Sequence, residues 1–454
     1  RHAARAGRLT RPKKEHFVAA IRMAYVGGGS TRAVGTVASF IHQGANFDGS
    51  EVVLIDLDQD RLDLVRTLAE KMARARGLDI TFTATTDRRV GLTDCEAVLT
   101  SFRPGGFEAR VLDERLPLAH GVIGQETQGP GGFFMSLRTV GVMMGIAEDL
   151  AAVAPKARVF NYTNPINIVA QAWTEHCEIP LVALCEGPMM YPDELLRDLG
   201  YDPHLLDARL VGLNHASWSF GGTYDGEDVV PILEREWVAR RNDPTQDPML
   251  MRRLRIATTF GGLPNEYFQY YYCEDEVLRE LQSKATTRAE DIVSWAPGYW
   301  THYEEQALSD DPVLDPARSR GGIDELELAL DVMDAVFNDR QEVLPVNVPN
   351  FGAVLPGFPE HLVVEVLGRC GRDWVNPLPA PALPHEVRGL VEALAEYQLL
   401  AGQAAWEGDW RDGIRALVAN PLVRTIEKAN ALYYELASAH RDHLPTRLIP
   451  PDLQ

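Results

Sequence analysis

Cysteine is scarce in this chain. Five residues in 454 (Cys95, Cys177, Cys185, Cys273, Cys370), an odd number without framework spacing, exclude a disulfide-stapled fold and point to a reducing, cytoplasmic setting. Long apolar runs are missing as well. None approaches the roughly 20 residues that a membrane-spanning helix needs, so no membrane partner is expected. Positive charge is also in short supply: 44 Lys and Arg face 65 Asp and Glu, a net charge of −21. That balance argues against nucleic acid or an anionic membrane as a partner. It also means that any anionic substrate must be met by a local cluster of cations. Internal repeats and low-complexity tracts are absent. Residues 1–17 stand apart, carrying Arg1, Arg5, Arg8, Arg11, Lys13 and Lys14 in their first 14 positions without an acid. The segment lacks the apolar stretch of a secretory signal and reads as a disordered tail, set aside from the fold.

What is present begins with glycine. The apolar run Ile21 to Val26 reads as a buried strand that stops at Gly27-Gly28-Gly29-Ser30-Thr31, and a helical pattern runs from Ala33 to His42. Strand, glycine turn and helix let backbone N–H groups approach a pyrophosphate at a helix N-terminus. The glycine spacing alone also fits a tight turn in some other α/β sheet. A second strand from Glu51 ends in Asp56, where the dinucleotide fold places the carboxylate that takes the ribose hydroxyls, favouring NAD over NADP. Helix Gln59 to Arg76 and strands at 80–83, 96–100, 158–161 and 181–184 continue the alternation. The pattern is that of an α/β, doubly wound parallel sheet over residues 18–200. Gly129-Pro130-Gly131-Gly132 reads as a loop, with a helix from Ser136 to Ala152. Beyond residue 200 the alternation fades into an α+β region, 201–454, with helices at 322–338, 385–406, 408–419 and 421–439.

Two strands end in reactive groups. Cys185 and His215 could together hold a divalent metal, or could be a small buried hydrophobe and a hydrogen-bonded structural histidine. Spacing leaves both readings open.

Taken together, the motifs GGGS (27–30), FRPGG (102–106), ARVLDE (109–114), GQETQGPGG (124–132), NYTNP (161–165), CEGP (185–188), GLNH (212–215), LPNEYFQYYY (263–272), VNVPN (346–350), VVEV (363–366) and NPLV (420–423) resemble glycoside hydrolase family 4. The likeness spans almost everything beyond the tail. It implies an N-terminal Rossmann-like domain of the lactate/malate dehydrogenase type, NAD and Mn²⁺ (or another divalent metal) as cofactors, and a homodimer or homotetramer.

The family's chemistry is oxidation of the sugar at C3, deprotonation at C2, elimination of the aglycone, water addition and re-reduction. The net reaction is hydrolysis, outside the usual two-carboxylate scheme. By this resemblance Cys185 and His215 are the metal ligands. Tyr267 is the base at C2, with Tyr270, Tyr271 and Tyr272 as near neighbours. Arg103, Asn164 and Arg288 contact the sugar and its phosphate. Glu186 stands where phospho-α-glucoside members carry Asp and phospho-β-glucoside members usually carry Asn. It is either a general acid that helps protonate the leaving oxygen or a solvated or metal-shell carboxylate. A 6-phospho-β-glucoside is the expected substrate, with unphosphorylated α- or β-glycosides and uronides as the alternative. A plain NAD-dependent hydroxy-acid or sugar dehydrogenase is the rival from another class. It would need a His/Asp relay in place of Cys185, His215 and Tyr267.

Overall fold

The computed structural model describes residues 18–320 and 327–454. The basic tail lies outside these residues, as does the start of the helix expected from residue 322. Six parallel strands form the heart of the fold: β1 (Arg22–Val26), β2 (Glu51–Ile55), β3 (Thr81–Thr85), β4 (Ala97–Thr100), β5 (Arg158–Asn161) and β6 (Leu181–Ala183). They lie in the order β6-β5-β4-β1-β2-β3, the doubly wound arrangement in which chain direction switches sides between β1 and β4. Five of the six are buried almost throughout, as a sheet covered on both faces requires, while the edge strand β3 buries only Phe82. Helix α1 (Ala33–His42) begins directly after the glycine turn, and α2 (Gln59–Ala75) follows β2, capped by the Asp58 carboxylate, which accepts from the Arg61 N–H.

The sheet does not stop at β6. An antiparallel extension continues it through Glu342–Pro349, Val363–Gly371, Val211–Leu213, Ala216–Ser219 and Leu263–Pro264, with Trp374–Pro377 alongside, giving twelve strands in one sheet. The register places Ala183 opposite Asn347, Asn347 opposite Glu365, and Glu365 opposite Gly212. Cys185 and Asn214 follow two residues beyond the two ends of this row. Because alternate residues of a strand share a face, the row brings those two distant segments to one side of the sheet.

One expectation is corrected. Gly129-Pro130-Gly131-Gly132 is not a loop but the first turn of a 25-residue helix, Gly129–Val153. Pro130 suits that first turn, where its missing N–H costs nothing. The glycines answer a packing demand: a Cβ on Gly131 would lie 2.3 Å from the Asp113 oxygen, and one on Gly132 2.2 Å from the Thr127 carbonyl carbon. The helix packs against Gly106–Ala119, His385–Trp406 and Ile426–Ala439, so C-terminal helices cover the first region's core.

Candidate active site

The glycine turn is shaped by what lies against it. Gly27 has φ 102°, and a Cβ there would sit 2.1 Å from the Ser101 oxygen; at Gly28 it would press on Leu54. The Asp56 carboxylate reaches back to the turn, accepting from the Gly29 N–H at 2.9 Å and the Leu57 N–H at 2.7 Å. Among the described residues the buried Ser30 hydroxyl has no partner. A glycine turn without side chains, an orphaned hydroxyl and an acid at the end of β2 fit the phosphates and ribose of a dinucleotide.

Cys185 lies between β6 and the helix Gly187–Asp198, and His215 closes the two-residue turn between Val211–Leu213 and Ala216–Ser219. His215 has φ 60°, left-handed backbone that a non-glycine residue adopts only where its surroundings enforce it. The turn aims its Nε2 at the Cys185 Sγ, 3.7 Å away. A thiol and a neutral imidazole 3.7 Å apart are a donor pair that would suit a single divalent cation. The GQETQ segment sets the ring. Thr127 Oγ1 donates to Gln125 Oε1 at 2.9 Å, which leaves its oxygen to accept from His215 Nδ1 at 3.1 Å. Gln128 Nε2 donates to the same hydroxyl at 3.2 Å. The Thr127 oxygen suits a proton on Nδ1, with the Nε2 lone pair towards Cys185, whereas Gln128 Nε2, 3.2 Å from Nδ1, suits the other tautomer. Burial lowers the His215 pKa to about 4, keeping its imidazole neutral, and raises the Cys185 thiol to about 12, with Glu365 adding to the rise. A cation is what would hold that sulfur as thiolate.

Tyr267 lies flat on His215, ring centroids 3.9 Å apart at 3°. Burial, then Glu126 and Cys185, raise its phenol above the ordinary value. Of its neighbours, Tyr271 donates to Gln128 Oε1 at 2.6 Å and Tyr272 packs among Trp218, Phe260 and Phe268. Only Tyr267 stacks on the imidazole.

Between the glycine turn and this pair lies a cationic cluster. Glu126 meets Arg103 at 2.6 Å and Arg110 at 2.8 Å, while Arg110 also pairs with Glu114 at 2.7 Å. Arg320 reaches Thr31 Oγ1 at 3.4 Å. Burial pushes Glu126 up, but Arg103, Arg110, Arg320 and Arg32 outweigh it and bring its carboxyl to about 2. Burial and the neighbouring Arg32 and Arg103 lower Arg320 to about 9. Guanidiniums outnumber carboxylates here, the arrangement an anionic substrate needs inside an acidic protein.

Arg103 is thus part of this cluster. Asn164 follows β5 with a buried Oδ1 that has no partner among the described residues. Arg288 does not join the cluster: its exposed guanidinium lies 4.9 Å from the Trp295 ring centroid. Its neighbour Ala289 donates to Glu114 at 2.9 Å, which brings the backbone but not the side chain to the network. Glu186 Oε1 accepts from the Tyr162 hydroxyl at 2.7 Å and the Leu328 N–H at 3.0 Å. Sequence reasoning assigned no role to Arg110, Arg320, Glu126, Thr127 or Glu365. The motifs ARVLDE, GQETQ and VVEV were visible, but nothing in them says which side chains converge.

Residues 22–201 match the family model described as Family 4 glycosyl hydrolase, and residues 210–423 match its C-terminal domain. The chain belongs to glycosyl hydrolase family 4. It is 31% identical over 438 residues to a probable 6-phospho-beta-glucosidase of Bacillus subtilis (strain 168), covering 94% of this chain and 97% of that one. A solved 6-phospho-alpha-glucosidase from gut microorganisms, in complex with NAD and Mn²⁺, superposes with a TM-score of 0.83 at 23% identity, covering 94% and 99%. A Thermotoga maritima 6-phospho-beta glucosidase with NAD and glucose-6-phosphate gives 0.80 at 22%, covering 94% and 99%. This family 4 chain is a glycosidase, and a plain dehydrogenase is set aside.

Proposed function

We propose that the protein hydrolyses 6-phospho-β-glucosides with NAD and a divalent cation, Mn²⁺ by preference, recycling the cofactor within each turnover. The observation that carries this reading is the convergence of Cys185, His215 and the stacked Tyr267 beside a cationic cluster that reaches the glycine turn. When bound, NAD⁺ supplies a hydride acceptor for C3, and the cation supplies Lewis-acid stabilisation of charge on the sugar oxygens. Cys185 and His215 would hold the cation, with Thr127 fixing the imidazole tautomer. Gly27, Gly28, Gly29, Ser30, Thr31 and Asp56 would hold the dinucleotide. Tyr267 takes the proton from C2. Arg103 and Arg110, with Arg320, meet the anionic part of the substrate through guanidinium forks, and Asn164 offers its free amide oxygen to a sugar hydroxyl. The β-anomer is supported by the similarity to the Bacillus relative.

An aryl-glycoside panel, α and β, with and without 6-phosphate, tests the reading in the presence of Mn²⁺, NAD⁺ and a thiol. Aglycone release from the phosphorylated β-member without net build-up of NADH is expected. Stoichiometric NADH accumulation, or cleavage of unphosphorylated members alone, would overturn it.

A further inference from the structure

Tyr303 stands on the helix Arg288–Ala307, and none of the roles above includes it. Its phenol is fully buried, with Trp300 set edge-on against the ring, centroids 5.7 Å apart at 87°. A phenol hydroxyl has one proton to donate, and leaving it unpaired in the interior is costly. Here it donates to the Thr31 carbonyl at 2.9 Å, the nearer of two acceptors, the Arg320 carbonyl lying at 3.4 Å. It accepts in turn from the Arg320 N–H at 3.0 Å. The Arg320 side chain repeats the link, its Nη1 reaching Thr31 Oγ1 at 3.4 Å across 289 positions of sequence. Beyond Thr31 the guanidinium lies 4.5 Å from the Phe107 ring centroid, and that of Arg103 lies 5.5 Å from the same ring. Among the described residues no carboxylate stands within ion-pair distance of Arg320, so its charge is left for an incoming anion.

We infer that Tyr303 is a positioning residue, its hydroxyl tying the glycine turn to Arg320 so that one guanidinium serves the dinucleotide's phosphates and the sugar phosphate together. The inference rests on the reading of the glycine turn as the dinucleotide site and of the cationic cluster as the seat of the substrate's phosphate. An arginine side chain has several free torsions, and stilling it for an anion costs affinity unless its backbone is fixed beforehand. Tyr303 fixes that backbone on the turn itself. A guanidinium carries five donors, enough to face two phosphate groups at once. No proton moves, since Tyr303 keeps its hydrogen on the Thr31 carbonyl throughout.

Tyr303→Phe keeps the ring and removes the hydroxyl. Calorimetry measures binding of NAD⁺ and of glucose 6-phosphate, and electron paramagnetic resonance measures binding of Mn²⁺. Both anions should bind Tyr303→Phe roughly three- to tenfold more weakly, the scale of one hydrogen bond, with Mn²⁺ within about twofold. Arg320→Gln leaves the backbone contacts of Tyr303 in place and should lose roughly tenfold or more on both anions. Added to Arg320→Gln, Tyr303→Phe should cost less than about twofold more in glucose 6-phosphate affinity, because it acts through that side chain. A packing role alone would weaken all three ligands and add in full. Unchanged anion binding in either variant, a loss confined to one anion, an equal loss on Mn²⁺, or full additivity would overturn the inference. The parent protein separates the two readings. If it binds glucose as well as glucose 6-phosphate, the phosphate reading falls. If it prefers the phosphate while Tyr303→Phe is unaltered, this inference alone falls.

Discussion

Thr127→Val is the sharpest test of the proposal that Cys185 and His215 hold the cation. Valine matches threonine in shape and fits a site only 5% exposed, so packing is preserved. What is lost is the hydroxyl that donates to Gln125 Oε1 at 2.9 Å and accepts from His215 Nδ1 at 3.1 Å. Without it the nearest polar group to Nδ1 is Gln128 Nε2, a donor at 3.2 Å. That donor favours the opposite tautomer, with the proton on Nε2 facing Cys185. Binding a cation must then first reverse the tautomer and leave Nδ1–H without an acceptor. Loss of such an outer partner lowers metal affinity by about 10–100-fold, or about 1.4–2.7 kcal/mol. Free Mn²⁺ measured by electron paramagnetic resonance during titration reports that affinity without relying on turnover. Thr127→Ser, which restores the hydroxyl, should recover most of the loss. Unchanged Mn²⁺ affinity in Thr127→Val, or equal loss in Thr127→Ser, would refute the tautomer argument.

Arg138 and Asp113 form a bidentate pair at 3.0 and 2.6 Å with both side chains fully buried, and Arg138 also donates to the Pro104 carbonyl beside Arg103. Arg138→Met should destabilise the protein by about 3 kcal/mol in urea unfolding, because it leaves the buried Asp113 carboxylate with only the His440 imidazole, 2.9 Å from its Oδ1, for a partner; a cost below about 1 kcal/mol would contradict this. Burial raises Glu365 to about 7, so the folded protein binds its proton more tightly than the unfolded chain does. Its contribution is therefore complete below an ordinary glutamate pKa and fades as pH rises towards 7, on the order of 3 kcal/mol in all. Metal-free protein should lose that stability relative to Glu365→Gln between about pH 4.5 and 7, and parallel profiles for the two would reject the shift. Glu186→Gln keeps an oxygen to accept from Tyr162 and Leu328, so activity should stay within about threefold even on poor leaving groups. A selective collapse on those substrates would instead restore the general-acid role.

Much of the fold was legible because its signals are local. Apolar strands broken by glycine or by polar turns, and Asp56 closing one of them, read directly as β1, β2 and the dinucleotide turn. The Gly129–Gly132 turn was misread for an instructive reason. Glycine freedom suggests a loop, yet these glycines are demanded by Asp113 and Thr127, residues whose approach only the tertiary structure reveals. The site divides in the same way. Cys185, His215, Tyr267 and Arg103 stand in motifs, and the resemblance could carry them over one by one. Arg110, Arg320 and Thr127 act through partners between 2 and 289 positions away, and no periodicity encodes such meetings. Arg288 shows the converse limit, since a residue carried over by the resemblance can still turn its side chain outward to Trp295.

The single sheet bears on how this protein can be cut or recombined. A fragment ending near residue 205 would carry the glycine turn, Asp56 and Cys185, and would look like a self-sufficient cofactor module. Its β6, however, would lose Asn347 opposite Ala183 and become a bare edge, the kind that recruits other chains into aggregates. It would also keep Cys185 without His215. Chimaeras between homologues meet the same requirement in another form. Exchanging the halves is safe only if the row Ala183, Asn347, Glu365, Gly212 stays in register, since a slip of one residue would turn Asn347 and Glu365 to the opposite face.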